Sequence, residues 1–444
     1  MDLIARGEML APARVIDVEL VGANPCGRSV DVSDYNSLWC LYRMNGIPQT
    51  ISIWDVQRVD VATVPVASQG LEQESVAPAG PVDPRIHSGG LTVVICTRDR
   101  PAPLKRTLES LRRQTDTDFD VLVVENAPSQ ASALDALRDS GLRRCRYALE
   151  PSRGLSRARN RGLSELETDY VAWLDDDETA DAGWVHWLKQ GFSHPSSPDA
   201  VCGLMLPAEL ETEAQVRFEQ YGGFNKGRDL SSVVLAADSP TVRSPLYPLP
   251  GFGAGGNMAF RVEPLRSLGC FDIHLGAGTR THGGEETQVL ARLLLHGSTV
   301  LHWPPAVTWH THRRTLAELE QQFYGYSAGL SAFYVSMLRA EPRTLFDIGK
   351  LVPQGLIDLT ANRGSGRTRD LPDDFPPWLL SASRRGLLSG APMYVIELVA
   401  ARRRARSQAK LLRQGRGGAP KTPNEMVGKP DRKGNDHESR IGLT

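Results

Sequence analysis

The sequence lacks the features that would place it at once in a membrane, secreted or nucleic-acid-binding class. None of its apolar runs reaches the roughly 18 uncharged residues that a membrane-spanning helix needs. Its first residues, MDLIARGEMLAPARV, have no continuous apolar core and no signal-peptide character. The net charge is −1, so no overall positive field attracts nucleic acid, and we expect no nucleic-acid partner. These absences favour a globular protein of the cytoplasm.

Cysteine is scarce and scattered. No two of the six cysteines form a Cys-x-x-Cys pair. Several lie in apolar, strand-like runs, which predicts buried, reduced thiols and again favours the cytoplasm. The cysteines are Cys26, Cys40, Cys96, Cys145, Cys202 and Cys270.

The length and composition predict more than one domain. With 444 residues, 41% hydrophobic and 23% charged, the chain resembles ordinary soluble proteins of about two or three domains. Residues 1–66 alternate apolar and polar positions, which predicts a small β-rich module with a hairpin turn at Asn45-Gly46. Residues 67–90 are rich in Pro, Gly, Ser and Ala, as linkers are.

The C-terminal part of the chain has a different pattern. Residues 331–416 are mainly helical in pattern, and seven Lys or Arg residues lie between positions 402 and 416 with no acid among them. A basic segment beside an apolar helix suits an anionic membrane surface, although a solvated helix end explains it equally well. We expect residues 417–444 to be disordered.

Between these parts, strand-like and helix-like segments alternate. Strands are predicted at 91–96, 119–125, 145–150, 170–174 and 199–206, with amphipathic helices between the first four. Two further strands are predicted at 298–303 and 306–312. This alternation predicts an α/β fold with a mainly parallel sheet and helices on both faces. Ligands bind such sheets outside the carboxyl ends of the strands.

The most unusual stretch is YVAWLDDDE, residues 170–178. Carboxylates about 4 Å apart repel by roughly 1 kcal/mol per pair in water and by more in a protein. A run of four after a buried strand therefore indicates a cation, and Asp175 and Asp177 are placed to bind one Mg²⁺ or Mn²⁺. The alternative is an acidic cluster at a helix N-terminus, with Asp181 as the cap.

Other strand ends carry polar residues that suit a metal–diphosphate ligand. Basic and acidic side chains follow the first two strands at 97–100 and 125–126. Arg157 and Asn160 share one face of the helix after Gly154, where they can meet phosphate, or else form a solvated basic face.

Three later motifs are ambiguous taken singly. Residues 251–256, GFGAGG, match a dinucleotide-binding pattern but follow a proline-rich turn, so a glycine-rich loop close to a ligand is the better interpretation. Glu285 and Glu286 open an amphipathic helix, as simple capping acids also would. His310 and His312 alternate onto one strand face, which makes them metal or phosphate candidates, although a lone histidine is usually structural.

Taken together and in order, these motifs resemble a known family. VVICTRDRP, VLVVENAPS, EPSRGLSRARNRGL, YVAWLDDDE, GFGAGGNMAFR, GAGTRTHGGEE and TWHTHRR resemble the inverting family 2 glycosyltransferases of GT-A fold. The chain looks most like actinobacterial members with a small N-terminal β module. The resemblance implies a GT-A domain over residues 91–330 and a metal-dependent transfer from a nucleotide-diphosphate sugar.

The resemblance also implies roles for individual residues. Glu286 is expected as the catalytic base, with Glu285 beside it, and Gly255, Gly256 and Asn257 lie where donor sugar and acceptor meet. The metal, Mg²⁺ or Mn²⁺, is expected on Asp175, Asp177 and His310. The expected nucleotide-binding residues are Thr97, Arg98, Arg100, Glu125, Asn126, Arg157, Asn160, Asp175 and Asp176.

Two positions depart from the family pattern. Glu125 stands where the family usually has Asp, and Glu286 stands in place of the catalytic Asp, one methylene further out. The alternative function is therefore a catalytically weak nucleotide-sugar-binding scaffold subunit. A nucleotidyltransferase is disfavoured because the first strand is not followed by a glycine-rich, basic loop. The expected acceptor is a carbohydrate or a lipid-linked glycan at the inner face of the cell membrane.

Overall fold

The computed structural model describes residues 9–20, 28–57, 60–64, 86, 90–129, 133–225, 230–236, 245–246, 255–360 and 371–415. Most of the predicted linker, the predicted disordered tail, Cys26 and positions 251–254 lie outside these residues. The chain divides into two compact units, Met1–Glu397 and Leu398–Thr444. The finer division predicted at residues 66, 90, 330 and 416 stays a prediction.

The N-terminal part of the first unit is a β module. Strands β1 (Ala13–Glu19), β3 (Ser37–Met44) and β4 (Ile47–Asp55) form one sheet, and β2 (Arg28–Asp31) pairs with β5 (Val61–Val64). The hairpin predicted at Asn45-Gly46 is confirmed, since both residues have positive φ (53° and 75°), as a tight two-residue turn requires. Trp39 and Leu41 share a buried cluster with Leu204 and Val307, so the module packs on the main sheet.

The main sheet has nine strands within the described residues, in the order β10-β14-β11-β13-β9-β6-β7-β8 with β12 beside β14. Six of them (β6, β7, β8, β9, β11 and β14) run in one direction, and β10, β12 and β13 run against them. The predicted α/β class with a mainly parallel sheet is confirmed. The strands are β6 (Leu91–Thr97), β7 (Asp120–Asn126), β8 (Cys145–Glu150), β9 (Tyr170–Leu174), β10 (Glu178–Ala180), β11 (Ala200–Pro207), β12 (Val233–Leu235), β13 (Asn257–Arg261) and β14 (Val300–His310).

The prediction of two strands at 298–303 and 306–312 was wrong. The structure has the single strand β14, which continues through Pro304 and Pro305. Proline cannot donate a ladder hydrogen bond, and the register with β11 shifts between Cys202 and Leu204. A Cβ on Gly203 would lie 2.2 Å from the Ala306 carbonyl oxygen, so the glycine in β11 allows the irregular part of β14 to lie this close.

Helices cover both faces of the sheet, as predicted. Two large buried clusters, one on each face, contain Trp173 and Trp184 respectively. A Cβ on Gly162 would lie 2.9 Å from Val94 and one on Gly191 2.8 Å from Val201, so these glycines allow close helix–sheet packing. The helices are α1 (Pro101–Arg112), α2 (Ala133–Asp139), α3 (Leu155–Ser164), α4 (Trp184–Phe192), α5 (Glu213–Gln220), α6 (Val262–Ser267), α7 (Glu285–Leu295), α8 (Leu316–Ala340), α9 (Leu345–Thr360) and α10 (Pro377–Gly415), with a 3₁₀ turn at Pro342–Thr344.

A buried carboxylate ties α8 and α10 to the loop after α6. Asp272 Oδ2 accepts hydrogen bonds from Ser336 Oγ at 2.7 Å and Tyr394 Oη at 2.5 Å, and Oδ1 lies 2.7 Å from His274 Nδ1. Arg339 is 3.5 Å away. Burial alone would raise the pKa of Asp272, but these hydrogen bonds lower it well below its usual range. We call these five residues the Asp272 cluster.

Of the helices in the described parts of the chain, none is both long and apolar enough to cross a bilayer. The five described cysteines form no disulfide with one another.

Candidate functional site

The run of acids follows β9 at the carboxyl end of the parallel strands. Thr97 Oγ1, at the end of the neighbouring β6, donates a 2.6 Å hydrogen bond to Asp176 Oδ2. Arg100 pairs with Asp176 at 2.5 Å and with Asp177 Oδ2 at 3.1 Å. The structure therefore brings together Thr97, Arg100 and the acidic run, as the sequence predicts for neighbouring strand ends.

These contacts tune the two acids in opposite directions. Burial raises the pKa of Asp176 to about 7, against the opposing effects of Arg100 and Thr97. Burial alone would also raise the pKa of Asp177, but the neighbouring His310, Arg100 and Arg313 side chains lower it below its usual value. Asp177 is thus the acid of the pair that stays ionised at neutral pH and can bind a cation.

Asp177 and His310 form the part of the site best suited to a divalent ion. His310 Nε2 lies 3.6 Å from Asp177 Oδ1, a separation that one ion can bridge at ligand distances of about 2.0–2.2 Å. Burial lowers the pKa of His310 to about 3, so the neutral ring can offer a lone pair. Within the described residues, no group of three or more His, Cys, Asp or Glu side chains can hold a metal by itself. The pair therefore fits an ion whose other ligands come from a diphosphate and water.

The loop before α7 places the Gly-Glu-Glu motif against helix α8. Gly284 adopts φ +92°, and a Cβ there would lie 2.5 Å from the Gly329 carbonyl oxygen. Only glycine fits both this conformation and this close approach. The motif therefore opens α7 at a fixed position beside the acidic run.

The two glutamates of this motif have different surroundings. Glu285 is 4% exposed and pairs with Arg159 Nη1 at 3.0 Å. Burial raises the pKa of Glu285 to about 8, the charge of Glu286 adds to the shift, and Arg159 opposes it. Glu286 is half-buried, and its carboxyl carbon lies 3.5 Å from the position that a Cβ would take on Gly255. Arg159 thus anchors Glu285, whereas Glu286 faces the end of the glycine-rich loop.

Arg159, on α3, connects the two acidic groups. It is 1% exposed, donates from Nη2 to the Gly255 carbonyl at 3.0 Å, and lies 3.7 Å from Asp175 Oδ1. Its guanidinium also sits over the rings of Trp173 and Phe271, at 5.8 and 5.4 Å from their centroids. Burial raises the pKa of Asp175, and the positive charge of Arg159 opposes this shift. Arg159 therefore holds Asp175, Gly255 and Glu285 in one arrangement.

Asn257 is buried and fully hydrogen-bonded. Its Oδ1 accepts from Trp184 Nε1 at 2.9 Å, and its Nδ2 donates to the carbonyls of Leu204 at 3.1 Å and Ala306 at 2.9 Å. The observed role of this side chain is to join β13, β11 and β14. Its predicted contact with donor sugar or acceptor stays a prediction.

Gly256 lies directly over Glu178. A Cβ on Gly256 would be 1.8 Å from Glu178 Oε1 and 2.9 Å from Asp175 Oδ2, so glycine is needed here. Glu178 is 1% exposed, and neither of its carboxylate oxygens has a hydrogen-bond partner among the described residues. Burial, and then the charge of Asp175, raise the pKa of Glu178.

The residues predicted to hold the base and ribose are bonded within the protein. Glu125 Oε1 accepts from a backbone N–H at the start of α2 at 3.1 Å, and Oε2 accepts from Tyr147 Oη at 2.8 Å. Asn126 donates to the Ser152 carbonyl at 2.8 Å and accepts from the Gly154 N–H at 2.9 Å. Both side chains fix the loops around the expected nucleotide, and direct contact with a nucleotide stays a prediction.

The remaining predicted residues lie around the same strand ends. Both polar atoms of the Asn160 side chain bond to the backbone of Phe271 at 2.9 Å, so its observed partner is that loop. Arg157 lies at the start of α3, near Gly154. Arg98 follows β6, with Nε 3.6 Å from the neighbouring aspartate. Their predicted contacts with a diphosphate stay predictions.

Three residues of the site were missed from the sequence. Arg159 stands between two residues that were singled out, and Glu178 is the last acid of the run, so both had a signal in the sequence. Glu219, on α5, accepts from the His312 ring at 2.9 Å. Nothing in the local sequence distinguishes Glu219 from other helix acids, because its partner is 93 residues away.

Comparisons with known proteins find similar sequences for the central part of the chain. Residues 92–269 match the family model described as Glycosyl transferase family 2. A pre-mycofactocin glycosyltransferase of Mycobacterium tuberculosis is 28% identical over 243 residues, which cover 54% of this chain and 46% of that protein. A hyaluronan synthase of Pasteurella multocida is 25% identical over 252 residues, covering 49% and 24% respectively. The chain thus spans less than half the length of these curated relatives.

Among solved structures, two similar chains carry bound ligands. A mannosyltransferase, PcManGT from Pyrobaculum calidifontis, in complex with GDP-Man and Mn²⁺, is 17% identical with a TM-score of 0.41, covering 74% of this chain and 79% of that one. GalNAc-T7 with UDP, GalNAc and Mn²⁺ is 16% identical with a TM-score of 0.39, covering 54% and 50%.

Proposed function

Because residues 92–269 belong to glycosyl transferase family 2, we propose that this chain moves a sugar from a nucleotide-diphosphate donor to an acceptor hydroxyl with inversion. The observation that carries the proposal is that a possible metal-binding pair and a possible catalytic base both lie near the strand ends. Asp177 and His310 can bind a metal–diphosphate, and Glu286 lies beside Gly255, outside the ion pair that Arg159 forms with Glu285.

The proposed donor site lies along the ends of β6, β7 and β9. Its proposed ligands are Thr97, Arg100, Glu125 and Asn126, with Arg98, Arg157 and Asn160 as further proposed contacts. Asp177 and His310 are the residues that would hold Mg²⁺ or Mn²⁺ with the diphosphate, whereas Asp175, expected as a third ligand, lies 3.7 Å from Arg159. Once bound, such an ion acts as a Lewis acid that stabilises charge on the departing diphosphate.

Glu286 is the proposed general base. Its carboxylate accepts the proton of the acceptor hydroxyl while the hydroxyl oxygen forms a bond to the anomeric carbon. The bond from that carbon to the diphosphate breaks on the opposite face, so the configuration inverts. Glu285 is less suited, because burial raises its pKa and its carboxylate is paired with Arg159.

The experiment that tests the function is a screen of nucleotide-diphosphate sugars with Mn²⁺ or Mg²⁺, followed by chelator. We expect nucleotide binding that falls sharply when the metal is removed, and transfer or slow hydrolysis of one donor. Asp177→Asn should reproduce the effect of the chelator on affinity. Tight metal-dependent binding with no turnover over a broad acceptor panel would favour the scaffold function. Binding that neither treatment changes would leave only the helix-capping interpretation of the acidic run.

We further propose that the chain works at the inner face of a membrane on a carbohydrate or lipid-linked acceptor. Large apolar side chains are exposed on α9, including Phe346 at 78%, and on α10, including Leu388 at 72%. The basic run between 402 and 416 follows in the sequence, and each Lys or Arg near an anionic surface contributes about 1 kcal/mol. These features support contact with anionic lipid.

Truncation after Ala401 tests the membrane proposal. The shortened chain should no longer bind anionic vesicles, while its nucleotide affinity stays unchanged, and added salt should weaken binding of the full chain. Equal vesicle binding by both forms, or none by the full chain, would refute membrane contact.

A further inference from the structure

His310 is the first of three side chains connected in a row by hydrogen bonds. Its Nδ1 lies 2.8 Å from Nδ1 of His312, and Nε2 of His312 lies 2.9 Å from Oε1 of Glu219. The other ring nitrogen of His310, Nε2, points to Asp177 Oδ1 at 3.6 Å. The row therefore runs from a helix acid on α5 to the proposed cation position.

Aromatic rings enclose this row on its sides. His310 and His312 are 6% and 3% exposed. Phe224 packs edge-on against His310 at 4.7 Å, and Phe218 packs edge-on against His312 at 4.9 Å. These rings leave each imidazole little room to rotate or to find other partners, so the hydrogen bonds along the row decide where the protons lie.

The proton positions can be followed from the carboxylate inwards. An ionised Glu219 only accepts hydrogen bonds, so the Nε2 of His312 carries a proton and donates it. When His312 is neutral, its Nδ1 then has a lone pair and accepts from Nδ1–H of His310. A neutral His310 with its proton on Nδ1 has its lone pair on Nε2, which faces Asp177.

The backbone around Glu219 is shaped to keep it in place. A Cβ on Gly223 would lie 2.2 Å from Glu219 Oε1, and Gly223 adopts φ +51°. A side chain at residue 223 would therefore displace the carboxylate from His312. Glycine at position 223, in the turn after α5, therefore allows the contact between Glu219 and His312.

We infer that Glu219 and His312 are positioning residues that fix the tautomer of His310, so that its Nε2 lone pair is presented to the divalent ion of the donor complex. The inference rests on the proposed function, since it concerns the ion that the donor brings. A free neutral imidazole can carry its proton on either nitrogen, and here the partner of the other ring nitrogen sets the choice. Groups that hydrogen-bond to a metal ligand in this way typically change metal affinity by about 10–100-fold.

The tautomer can be observed directly in the unsubstituted chain without metal. Long-range ¹H–¹⁵N NMR at neutral pH distinguishes a protonated ring nitrogen from one with a lone pair. We expect His310 protonated on Nδ1 only, and His312 on Nε2 only. A proton on Nε2 of His310 would overturn the inference, whatever the chain binds.

Metal affinity gives a second readout. Binding of Mn²⁺ in the presence of uridine or guanosine diphosphate is followed by electron paramagnetic resonance for the unsubstituted chain, Glu219→Gln and the control Glu213→Gln. Glu213 lies on the same helix, but its carboxylate pairs with Arg217. We expect Glu219→Gln to weaken Mn²⁺ binding about tenfold or more, with NMR showing loss of the single His310 tautomer, and Glu213→Gln to change neither.

The outcomes separate this inference from the proposed function. Unchanged Mn²⁺ affinity in Glu219→Gln, with metal binding intact in the unsubstituted chain, would overturn the positioning role and leave the function standing. If the unsubstituted chain binds no Mn²⁺ with either diphosphate, the proposed function fails, while the NMR result still decides the proton positions.

Discussion

The protein buries carboxyl groups in two regions, and the surroundings shift their pKa values in opposite directions. In the Asp272 cluster, the carboxylate accepts hydrogen bonds from Ser336 and Tyr394, and its pKa is lowered. At the end of β9, Glu178 is more deeply buried, at 1% exposed, but has no hydrogen-bond partner among the described residues, and its pKa is raised. Burial alone would raise the pKa of both acids, so the opposite shifts come from the hydrogen-bond donors that surround Asp272.

We propose that this difference separates a region that stabilises the fold from one that binds a ligand. A buried polar group without a partner costs about 1–3 kcal/mol, and more when it is charged. Such a cost is retained where a ligand or reaction later uses the group. The raised pKa values of Asp176, Glu178 and Glu285 are typical of functional sites and support the proposed site at the strand ends. The predictions below test this division, beginning with the largest effect.

Glu286→Gln should remove activity and leave stability almost unchanged. The substitution keeps the shape of the side chain but removes the proposed base, and loss of a general base lowers turnover by roughly 10²–10⁴-fold. Donor binding should persist, because Glu286 acts on the acceptor. The measurements are turnover and donor affinity, with Glu285→Gln as the matched neighbour and a smaller loss expected there.

Glu286→Asp sharpens the same test. The carboxyl carbon of Glu286 already reaches Gly255, so shortening the arm withdraws it from the loop and should lower the rate. A faster Glu286→Asp would identify the longer arm as a defect of this chain. Full activity in Glu286→Gln would show that another group is the base.

Asp272→Asn should be the most destabilising of the substitutions considered. It removes the charge that the Asp272 cluster surrounds, and breaking a buried charged network costs about 3 kcal/mol or more. Denaturant unfolding measures the loss. The control is Asp374→Asn, which breaks an exposed ion pair with Arg217 and should cost about 1 kcal/mol or less. Similar losses for the two would contradict the structural role of the cluster.

The same carboxylate predicts a loss of stability in acid. Because the pKa of Asp272 is lower in the folded than in the unfolded state, its contribution is present above about pH 4 and is lost as the pH falls below that value. Asp272→Asn should unfold with a shallower pH dependence in this range. If the stability of the variant depended on pH in the same way as that of the unsubstituted chain, other carboxylates would control unfolding in acid.

Much of the fold and of the site's location could be predicted from local sequence. The strand–helix alternation gave the α/β class, Asn45-Gly46 gave the hairpin, and the apolar run before Asp175 placed the acids at a strand end. These features depend on neighbouring residues, where periodicity and turn chemistry act. Strand β14 was predicted as two strands because Pro304 and Pro305 are typical of a break between strands. The register shift in the neighbouring strand β11, which accommodates the two prolines, cannot be seen from the local sequence.

The internal bonding of the site could not be predicted in this way. Asn160 and Asn257 were singled out as ligand contacts, yet their amides bond to Phe271, Trp184 and two strand carbonyls. Arg159 and Glu219 reach partners 126 and 93 residues away. A polar side chain in a motif can serve the ligand or the loop that holds it, and sequence spacing does not distinguish the two.

Arg159→Lys should lower turnover moderately. Lysine keeps the charge but cannot bond at once to Gly255 and Glu285, nor lie flat over Trp173. We expect turnover to fall about tenfold, equal to 1.4 kcal/mol, with a smaller change in donor affinity. Arg161→Lys, on the exposed face of the same helix, is the control. Equal effects of the two would show that Arg159 does not hold the site together.

Glu178→Gln should have the smallest effect of these substitutions. The sign of its change in the free energy of unfolding directly tests whether Glu178 differs from Asp272. Since the pKa of Glu178 is raised in the folded state, the stability this group contributes is full below about pH 4 and declines as the pH rises towards the folded pKa. Glutamine has the same shape and never ionises, so that decline should disappear. At about pH 4, before that decline begins, the two proteins should unfold almost alike, and at pH 8 the variant should be the more stable. Chemical unfolding at both pH values measures this. A variant that is less stable at pH 8 would mean that Glu178 is a satisfied structural acid like Asp272, and that the two regions do not differ in the way described.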